Sequence, residues 1–323
     1  MKSEQRNPLL RFPAKTHQTH QALWHGLPLL QSEAVQLGPG SHVYEMLQVT
    51  GRDMLIFRSS FAPKMASTIV THPDWMVLMI PVHWLGDHVL NGQVARPFDV
   101  FVFAGPDGYS STGMGRQNLS LGMRRSKLKE TCASLSGRHV DDITLDDQRM
   151  ALGSALGTRF HRRILETIAA SLDEPLGPGK FALEAVVEND LFAEVAGLII
   201  AQTIEENAVS TPNLDPLRVV RRAEKLFEDR VSNPPSIADL CKAANVGATK
   251  LGVCFNEVFG AAPIAYLQAK RLTQARSLFL AEEGPPPSVK DVALSLGFTH
   301  SGRFAKRYQS LFGEFPSETL ESR

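Results

Sequence analysis

Residues 236–263 and 288–316 repeat one pattern, and that duplication constrains the fold more than any bulk property of the chain. Ser236, Asp239 and Leu240 in the first copy match Ser288, Asp291 and Val292 in the second. Nine residues after each serine comes a turn, Asn245-Val246 in one copy and Gly297-Phe298 in the other. A helix follows with large apolar residues at i, i+4 and i+8: Leu251, Phe255 and Phe259, then Phe304, Tyr308 and Phe312. That spacing buries one stripe of a helix. Both copies close on Phe-Gly-x-x-Pro, at 259–263 and 312–316. The offset is 52 residues before the turn and 53 after it, so the second copy carries one extra residue there. A serine N-cap with an acid in the first turn suits the start of each leading helix. The pattern predicts two helix-turn-helix units, 236–260 and 288–313, each able to offer one helix to a DNA groove.

The segments around the repeat read consistently with it. Residues 217–231 are predicted helical, and 263–280 form a longer helix carrying Ala265, Leu267, Leu272, Ala275 and Leu278, with Pro263 where a helix start tolerates it. Gly284-Pro285-Pro286-Pro287 breaks the chain before the second copy. Residues 207–216 (NAVSTPNLDP) have the polar, proline-containing character of an interdomain linker.

A chain of 323 residues exceeds one ordinary core, so a second domain is expected upstream. Residues 1–35 read as a loosely structured lead-in. From about 42 to 123 short apolar or alternating runs (43–49, 54–61, 68–71, 76–82, 100–104 and 118–123) alternate with turn signals. The turns are Thr50-Gly51, His72-Pro73-Asp74, Asn91-Gly92 and Gly105-Pro106-Asp107-Gly108. Many short strands predict a barrel or sandwich. Residues 145–171 and 181–206 read as two long helices separated by a break at 174–179. Leu191, Val195, Leu198 and Ile199 make an apolar stripe that a second copy of the chain or the barrel itself would cover. The expected class is multidomain α+β: a β-rich, barrel-like (cupin-like) domain with a helical dimerisation segment over 1–206, and an all-α domain with two helix-turn-helix units over 217–323.

Charge supports this division. The chain is neutral overall, but 217–323 hold 15 lysines and arginines against 11 acids, and 1–216 hold 19 against 23. A mildly basic C-terminal part suits a nucleic-acid partner without requiring one. Three cysteines, Cys132, Cys241 and Cys254, are too few and scattered for a disulfide framework or zinc cluster. No apolar run is long enough for a bilayer, and the start MKSEQRNPLLRF lacks a signal-peptide core, so a cytoplasmic location without membrane contact is expected. P-loop, nucleophile-elbow and zinc-hydrolase patterns are absent, and no cofactor is expected. His83 and His88 lack partners at ligand spacing, so no metal site is expected. Trp75, Trp84, Phe98, Phe101, Phe103 and Tyr109 either line a small-molecule pocket or form barrel core. The alternative to a DNA reader is a metal-dependent barrel enzyme fused to a helical interaction module.

The repeat resembles a known family. Ile237-Ala238-Asp239-Leu240, Leu251-x3-Phe255-x3-Phe259-Gly260-x2-Pro263, Tyr266-Leu267, Arg271-Leu272-x2-Ala275-Arg276-x-Leu278, Val292-Ala293 and Gly297-Phe298-x5-Phe304-x3-Tyr308-x3-Phe312-Gly313-x2-Pro316-Ser317 are similar to the AraC/XylS family of bacterial transcription regulators. The resemblance covers about 217–320. It implies a sequence-specific DNA-binding transcription regulator that answers to a small-molecule effector and acts on promoter DNA. A homodimer is implied as well, with RNA polymerase as partner in the case of an activator. With the apolar stripes inward, Thr249, Lys250, Gly252, Val253 and Asn256 face DNA in the first unit. Thr299, His300, Gly302, Arg303, Lys306 and Arg307 do so in the second. The first unit departs from the family in its Gly252-Val253 pair, where polar or basic residues are usual; thymine-methyl contacts and a phosphate contact from Lys250 remain open to it. Arg303 is the expected base reader, with Lys306 and Arg307 on phosphates, and His300 either reading or capping the turn. Arg271 and Arg276 divide between structural pairing and the DNA backbone, and Arg218, Arg221 and Arg222 read as a solvated helix face. A rigid link would set the two reading helices in successive major grooves, about 34 Å apart, for a site of roughly 15–20 base pairs.

Overall fold

The computed structural model describes residues 14–17, 29–40, 44–105, 107–204, 215–281, 285 and 287–322. In chain order the first half comprises β1 (Lys15–His17), β2 (Leu30–Gln36), β3 (Tyr44–Thr50), β4 (Met54–Phe61), β5 (Met65–Thr71), β6 (Trp75–Leu90), β7 (Gln93–Val94), β8 (Asp99–Phe103) and β9 (Tyr109–Arg124). Then come α1 (Arg125–Ser136), β10 (Gln148–Ala151), α2 (Ser154–Ser171), β11 (Pro175–Gly177), β12 (Lys180–Ala182) and α3 (Ala185–Ile204). The last third is helical: α4 (Asp215–Glu228), α5 (Ile237–Ala244), α6 (Ala248–Phe259), α7 (Pro263–Leu280), α8 (Val289–Ser295), α9 (Ser301–Phe312) and α10 (Pro316–Glu321).

The long strand β9 organises the β domain. Its second half pairs with β4 (Phe61 opposite Arg116, Met54 opposite Met123) and its first half with β5 (Ile69 opposite Tyr109). Along its other edge runs β6, with register shifts between Pro81 and Val89. One strand that changes partner midway bends the sheet into a barrel-like wall. Neighbouring strands are antiparallel except β12 beside β3. Both faces of the sheet are buried, which is why 75–80 (WMVLMI) reads as an unbroken apolar run. Met76, Leu78 and Ile80 pack outward beneath α1, α2 and α3, with Leu128, Phe160, Ile164, Leu191 and Val195. Trp75, Val77 and Met79 point into the barrel with Phe57, Phe101, Phe103 and Tyr109.

Several expectations change at this level. Part of the lead-in is strand: β1 pairs with β3, and β2 pairs with β5 along seven residues. Residues 1–13 and 18–28 lie outside the described part. β-Structure therefore extends beyond 42–123 on both sides. Helix α2 starts at Ser154 rather than 145, because 148–151 adds strand β10 to β8. Likewise α3 starts at Ala185 rather than 181, since the break at 174–179 holds strand β11 and 180–182 pairs with it as β12. Helix α1 was not anticipated; its sequence RSKLKETCASLS buries only Leu128 and Cys132, too few for a visible period. The stripe Leu191, Val195, Leu198 and Ile199 is buried within the chain, so intrachain packing uses it and it is not a free dimerisation face. Of the six candidate pocket aromatics, Trp75, Phe101, Phe103 and Tyr109 line the barrel interior and Trp84 leans on it. Phe98 packs against the outer cluster instead. Most of the expected linker, 207–214, lies outside the described residues; Asp215 and Pro216 already belong to α4. No helix among the described residues is long and apolar enough to cross a membrane.

The helical third rests on the barrel. Val35 of β2 and Ala66 of β5 share an apolar cluster with Leu217, Val220, Phe227, Leu251 and Phe255. Around it, Thr112 Oγ1 donates to the Val258 carbonyl at 2.8 Å and Gln36 N donates to Thr273 Oγ1 at 3.2 Å. Gln36 Nε2 donates to the Leu311 carbonyl at 2.8 Å, and Arg218 pairs with Asp107 at 2.7 Å.

Candidate nucleic-acid interface

Each unit is assembled from the same local chemistry. Ser236 Oγ accepts from the Asp239 amide at 3.2 Å, and the Asp239 carboxylate accepts from the Ser236 amide at 2.9 Å, a complete capping box that opens α5. Those bonds hold the Asp239 carboxyl below its usual range. Ser288 Oγ accepts from the Asp291 amide at 3.4 Å and opens α8 in the same way. The turn then needs a left-handed residue, Asn245 at φ 55° and Gly297 at φ 75°. The residue that lengthens the second copy follows this point, so α6 starts three residues after Asn245 and α9 four after Gly297.

Aromatic stripes seat the reading helices. In the first unit the Phe259 and Tyr266 rings stack at 3.9 Å, with Phe255 edge-on at 5.7 Å from Tyr266. In the second, Tyr308 meets Phe279, Phe304 and Phe312 at 5.9, 5.8 and 4.4 Å. With these buried, the opposite face of α6 is open: Thr249, Lys250, Val253 and Asn256 are exposed and Gly252 half-buried. Thr299, His300, Gly302, Arg303, Lys306 and Arg307 are exposed on and before α9. Lys250, Arg303, Lys306 and Arg307 have no carboxylate partner among the described residues, so their charge faces solvent. The Asn256 amide donates back to the Gly252 carbonyl at 3.0 Å, within its own helix. His300 stands at the N-cap position of α9 without a side-chain cap bond. Contacts with the barrel reach the C-terminal ends of α6 and α9 and leave these faces uncovered.

Two arginines of α7 that the sequence divided between structure and DNA are structural. Arg271 donates to the Leu296 and Gly297 carbonyls at 3.3 and 3.4 Å and lies 4.6 Å over the Phe298 ring, closing the end of α8. Arg276 pairs with Glu314, bonds Thr319 Oγ1 at 3.2 Å and covers Phe312. Arg218, read as part of a solvated face, pairs with the barrel's Asp107.

The sequence reading missed the centre of the contact between the two halves. Lys270 Nζ lies 2.9 Å from Glu224, 2.6 Å from Glu228 and 3.0 Å from Glu33 of the barrel. Tyr266 Oη donates to the same Glu224 at 2.7 Å. These three glutamates also stand at metal-ligand spacing, but the lysine ammonium already occupies their centre. The spacing Glu224, Glu228 on one helix face was the available signal; the cation that answers it comes from 42 residues downstream.

A helix-turn-helix domain family matches residues 240–322. A probable thc operon regulatory protein of Rhodococcus erythropolis is 27% identical over 207 residues, which is 63% of this chain and 61% of that protein. XylDLEGF operon transcriptional activator 3 of Pseudomonas putida is 33% identical over 102 residues, 32% of this chain and 31% of that one. The chain thus spans under two thirds of the length of either relative. Among solved structures, a probable AraC family transcriptional regulator from Rhodopseudomonas palustris CGA009 is 33% identical over 32% of this chain and 95% of its own, at a TM-score of 0.29. ToxT from Vibrio cholerae O395 is 13% identical over 90% of this chain and 97% of its own, at a TM-score of 0.32. The motifs of both units and the matched segment agree: the C-terminal third of the chain is a helix-turn-helix domain similar to that of the XylDLEGF operon transcriptional activators.

Proposed function

We propose that this chain is a sequence-specific DNA-binding transcription regulator whose β domain senses a small molecule. The observation that carries the reading is geometric. Two helix-turn-helix units, each with an uncovered face, stand at the two ends of one 18-residue helix, α7. Such a helix is about 27 Å long and keeps the units at a fixed spacing near one turn of DNA. In this reading residues 1–206 form the sensing domain, 207–216 the linker and 217–323 the DNA-binding domain.

The second unit supplies most of the polar readout. Arg303 reads a base edge, Lys306 and Arg307 neutralise phosphates, and Thr299 and His300 border the groove. The first unit contributes Thr249, a phosphate contact from Lys250, and methyl contacts from Val253 beside Gly252, with Asn256 at the edge. A homodimer on promoter DNA needs a surface other than the buried stripe on α3, and sedimentation of the full chain with and without DNA tests for it.

The deciding experiment is selection of bound sequences from a random DNA pool by the full chain. The expected result is an asymmetric motif in two blocks about one helical turn apart, with affinity that falls steeply with salt. One block alone would assign specificity to α9 and withdraw α6 as a reader. Retention that is weak, unselective and insensitive to salt would reject the regulator.

A further inference from the structure

Barrel and helical third meet at matching points of the repeat. Thr112 Oγ1 of β9 donates to the Val258 carbonyl at 2.8 Å, and Gln36 Nε2 of β2 donates to the Leu311 carbonyl at 2.8 Å. Val258 and Leu311 are each the last residue but one of a reading helix, α6 and α9. They stand 53 residues apart, which is the offset of the two copies after the turn. The last carbonyls of a helix lack intrahelical partners, so each is an acceptor that something outside the helix must satisfy. In both units the barrel satisfies the equivalent one. Thr112 and Gln36 are themselves buried, so breaking either bond leaves polar groups unpaired.

The two donors stand on one piece of sheet. Thr112 lies opposite Ala66 across β9 and β5, and Ala66 lies opposite Val35, the neighbour of Gln36, across β5 and β2. Two steps between paired strands separate the donors by about 10 Å of hydrogen-bonded sheet. Gln36 is held in place as well. Its backbone N–H donates to Thr273 Oγ1 of α7 at 3.2 Å, and Nε2 lies 2.8 and 3.0 Å from the Gly38 and Gly40 carbonyls. Helix α7 sets the distance between the units, but each bundle packs on it through apolar side chains. These are Tyr266 and Leu267 in the first unit, and Leu272, Ala275 and Phe279 in the second. Apolar contact has no preferred direction, whereas a hydrogen bond to a helix end does. The second unit is met at its turn by the first, where a Cβ at Gly297 would come within 2.9 Å of the Val231 carbonyl. At the far end of α9 the barrel holds it.

We propose that this edge of the barrel sets the register between the two reading helices. Thr112 and Gln36 are positioning residues, and through them the chain discriminates the length of DNA between the two blocks of its site. One base pair added between the blocks moves the second about 3.4 Å along the duplex and turns it by about a tenth of a revolution. A chain held at both helix ends follows that move only by breaking a contact with the barrel. The proposal rests on the reading of both units as DNA readers and adds what fixes their spacing.

The test uses the full chain and the two-block duplex that it selects, beside duplexes with one base pair inserted or deleted between the blocks. Wild type is expected to bind both altered duplexes more weakly. Gln36→Ala and the isosteric Thr112→Val are each expected to narrow that gap about five-fold, the net worth of a hydrogen bond that no longer has to be broken. Nitroxides on Thr249→Cys and Gln309→Cys, both exposed positions, report the same register without DNA by pulsed double electron resonance. A Cys241→Ser background leaves only the buried Cys132 and Cys254. The distance distribution is expected to be narrow with Thr112 and Gln36 in place and broader in both variants, with thermal unfolding showing that each is folded. An unchanged spacing gap or an unchanged distance distribution in either folded variant overturns the proposal. Equal loss of affinity for all three duplexes overturns it too, since the contacts would then serve stability alone. None of these results touches the regulator. Selection of a single block by wild type removes the proposal and keeps a regulator with one reader. Unselective, salt-insensitive retention by wild type rejects the regulator and the proposal together.

Discussion

On the reading faces the residues fall into distinct physical roles, and single substitutions separate them. Arg303 is exposed in the first turn of α9, where a guanidinium can reach the edge of a guanine. Arg303→Ala is expected to cost about 1–3 kcal/mol on the selected site and to relax preference at one position. Lys306→Ala should instead weaken all sequences alike and reduce the salt slope by about one. Binding measured across a salt series on matched and mismatched duplexes distinguishes the two. Gly252 tests the first unit: nothing lies within 4 Å of a Cβ added there, so Gly252→Ala should stabilise the free protein by about 0.5–1 kcal/mol through helix propensity. Denaturant unfolding gives that value, and a simultaneous loss of DNA affinity would show that the bare backbone approaches the duplex. Outward positions were legible because the apolar stripe fixes the opposite face. Arg271 and Arg276 were not, since a cation on a helix carries no mark of whether a carbonyl, a ring or a phosphate awaits it.

Among elements, the repeated unit was legible in full and the outer parts of the sheet were not. The helix pairs follow from period, caps and turn residues, all of which are local. The turns themselves differ: Asn245 and Gly297 share the left-handed conformation, but a Cβ at Gly297 would also come within 2.9 Å of the Val231 carbonyl. Gly297→Ala is therefore expected to cost about 1–3 kcal/mol by chemical denaturation, against about 0.5 kcal/mol or less for Asn245→Gly. Equal costs would mean that conformation alone matters at both turns. By contrast β2 (LQSEAVQ) buries Leu30, Val35 and Gln36 and exposes Gln31 and Glu33. Val35 is buried against the helical third rather than against its own sheet. An alternation shared between two partners in this way has no single period to detect. Helix α1 failed to show for a related reason, since a helix held by two buried side chains and a backbone-bonding Arg125 looks polar along its length.

At the scale of the whole molecule, Lys270 is where pH reaches the contact between barrel and reader. Burial alone would lower its pKa, but the Glu224, Glu33 and Glu228 carboxylates outweigh burial and hold it above the ordinary lysine value of 10.5. A cation whose folded pKa is raised stabilises fully below its unfolded value and loses that contribution as pH rises through the folded one, so this contact weakens only in the alkaline range. Glu224 runs the other way. Burial pushes its carboxyl above 4.5 against the pull of Lys270 and Tyr266, so its protonation favours the folded state as pH falls through the raised value. Lys270→Met leaves Glu33, Glu224 and Glu228 facing one another with no cation. A loss of about 3–5 kcal/mol is expected at pH 7.5, with a smaller loss at lower pH as the raised Glu224 carboxyl takes up its proton. Urea unfolding of wild type and variant at the two pH values checks this. A loss independent of pH would mean that the lysine acts through packing of its stem, and that charge does not couple the barrel to the helix between the two reading units.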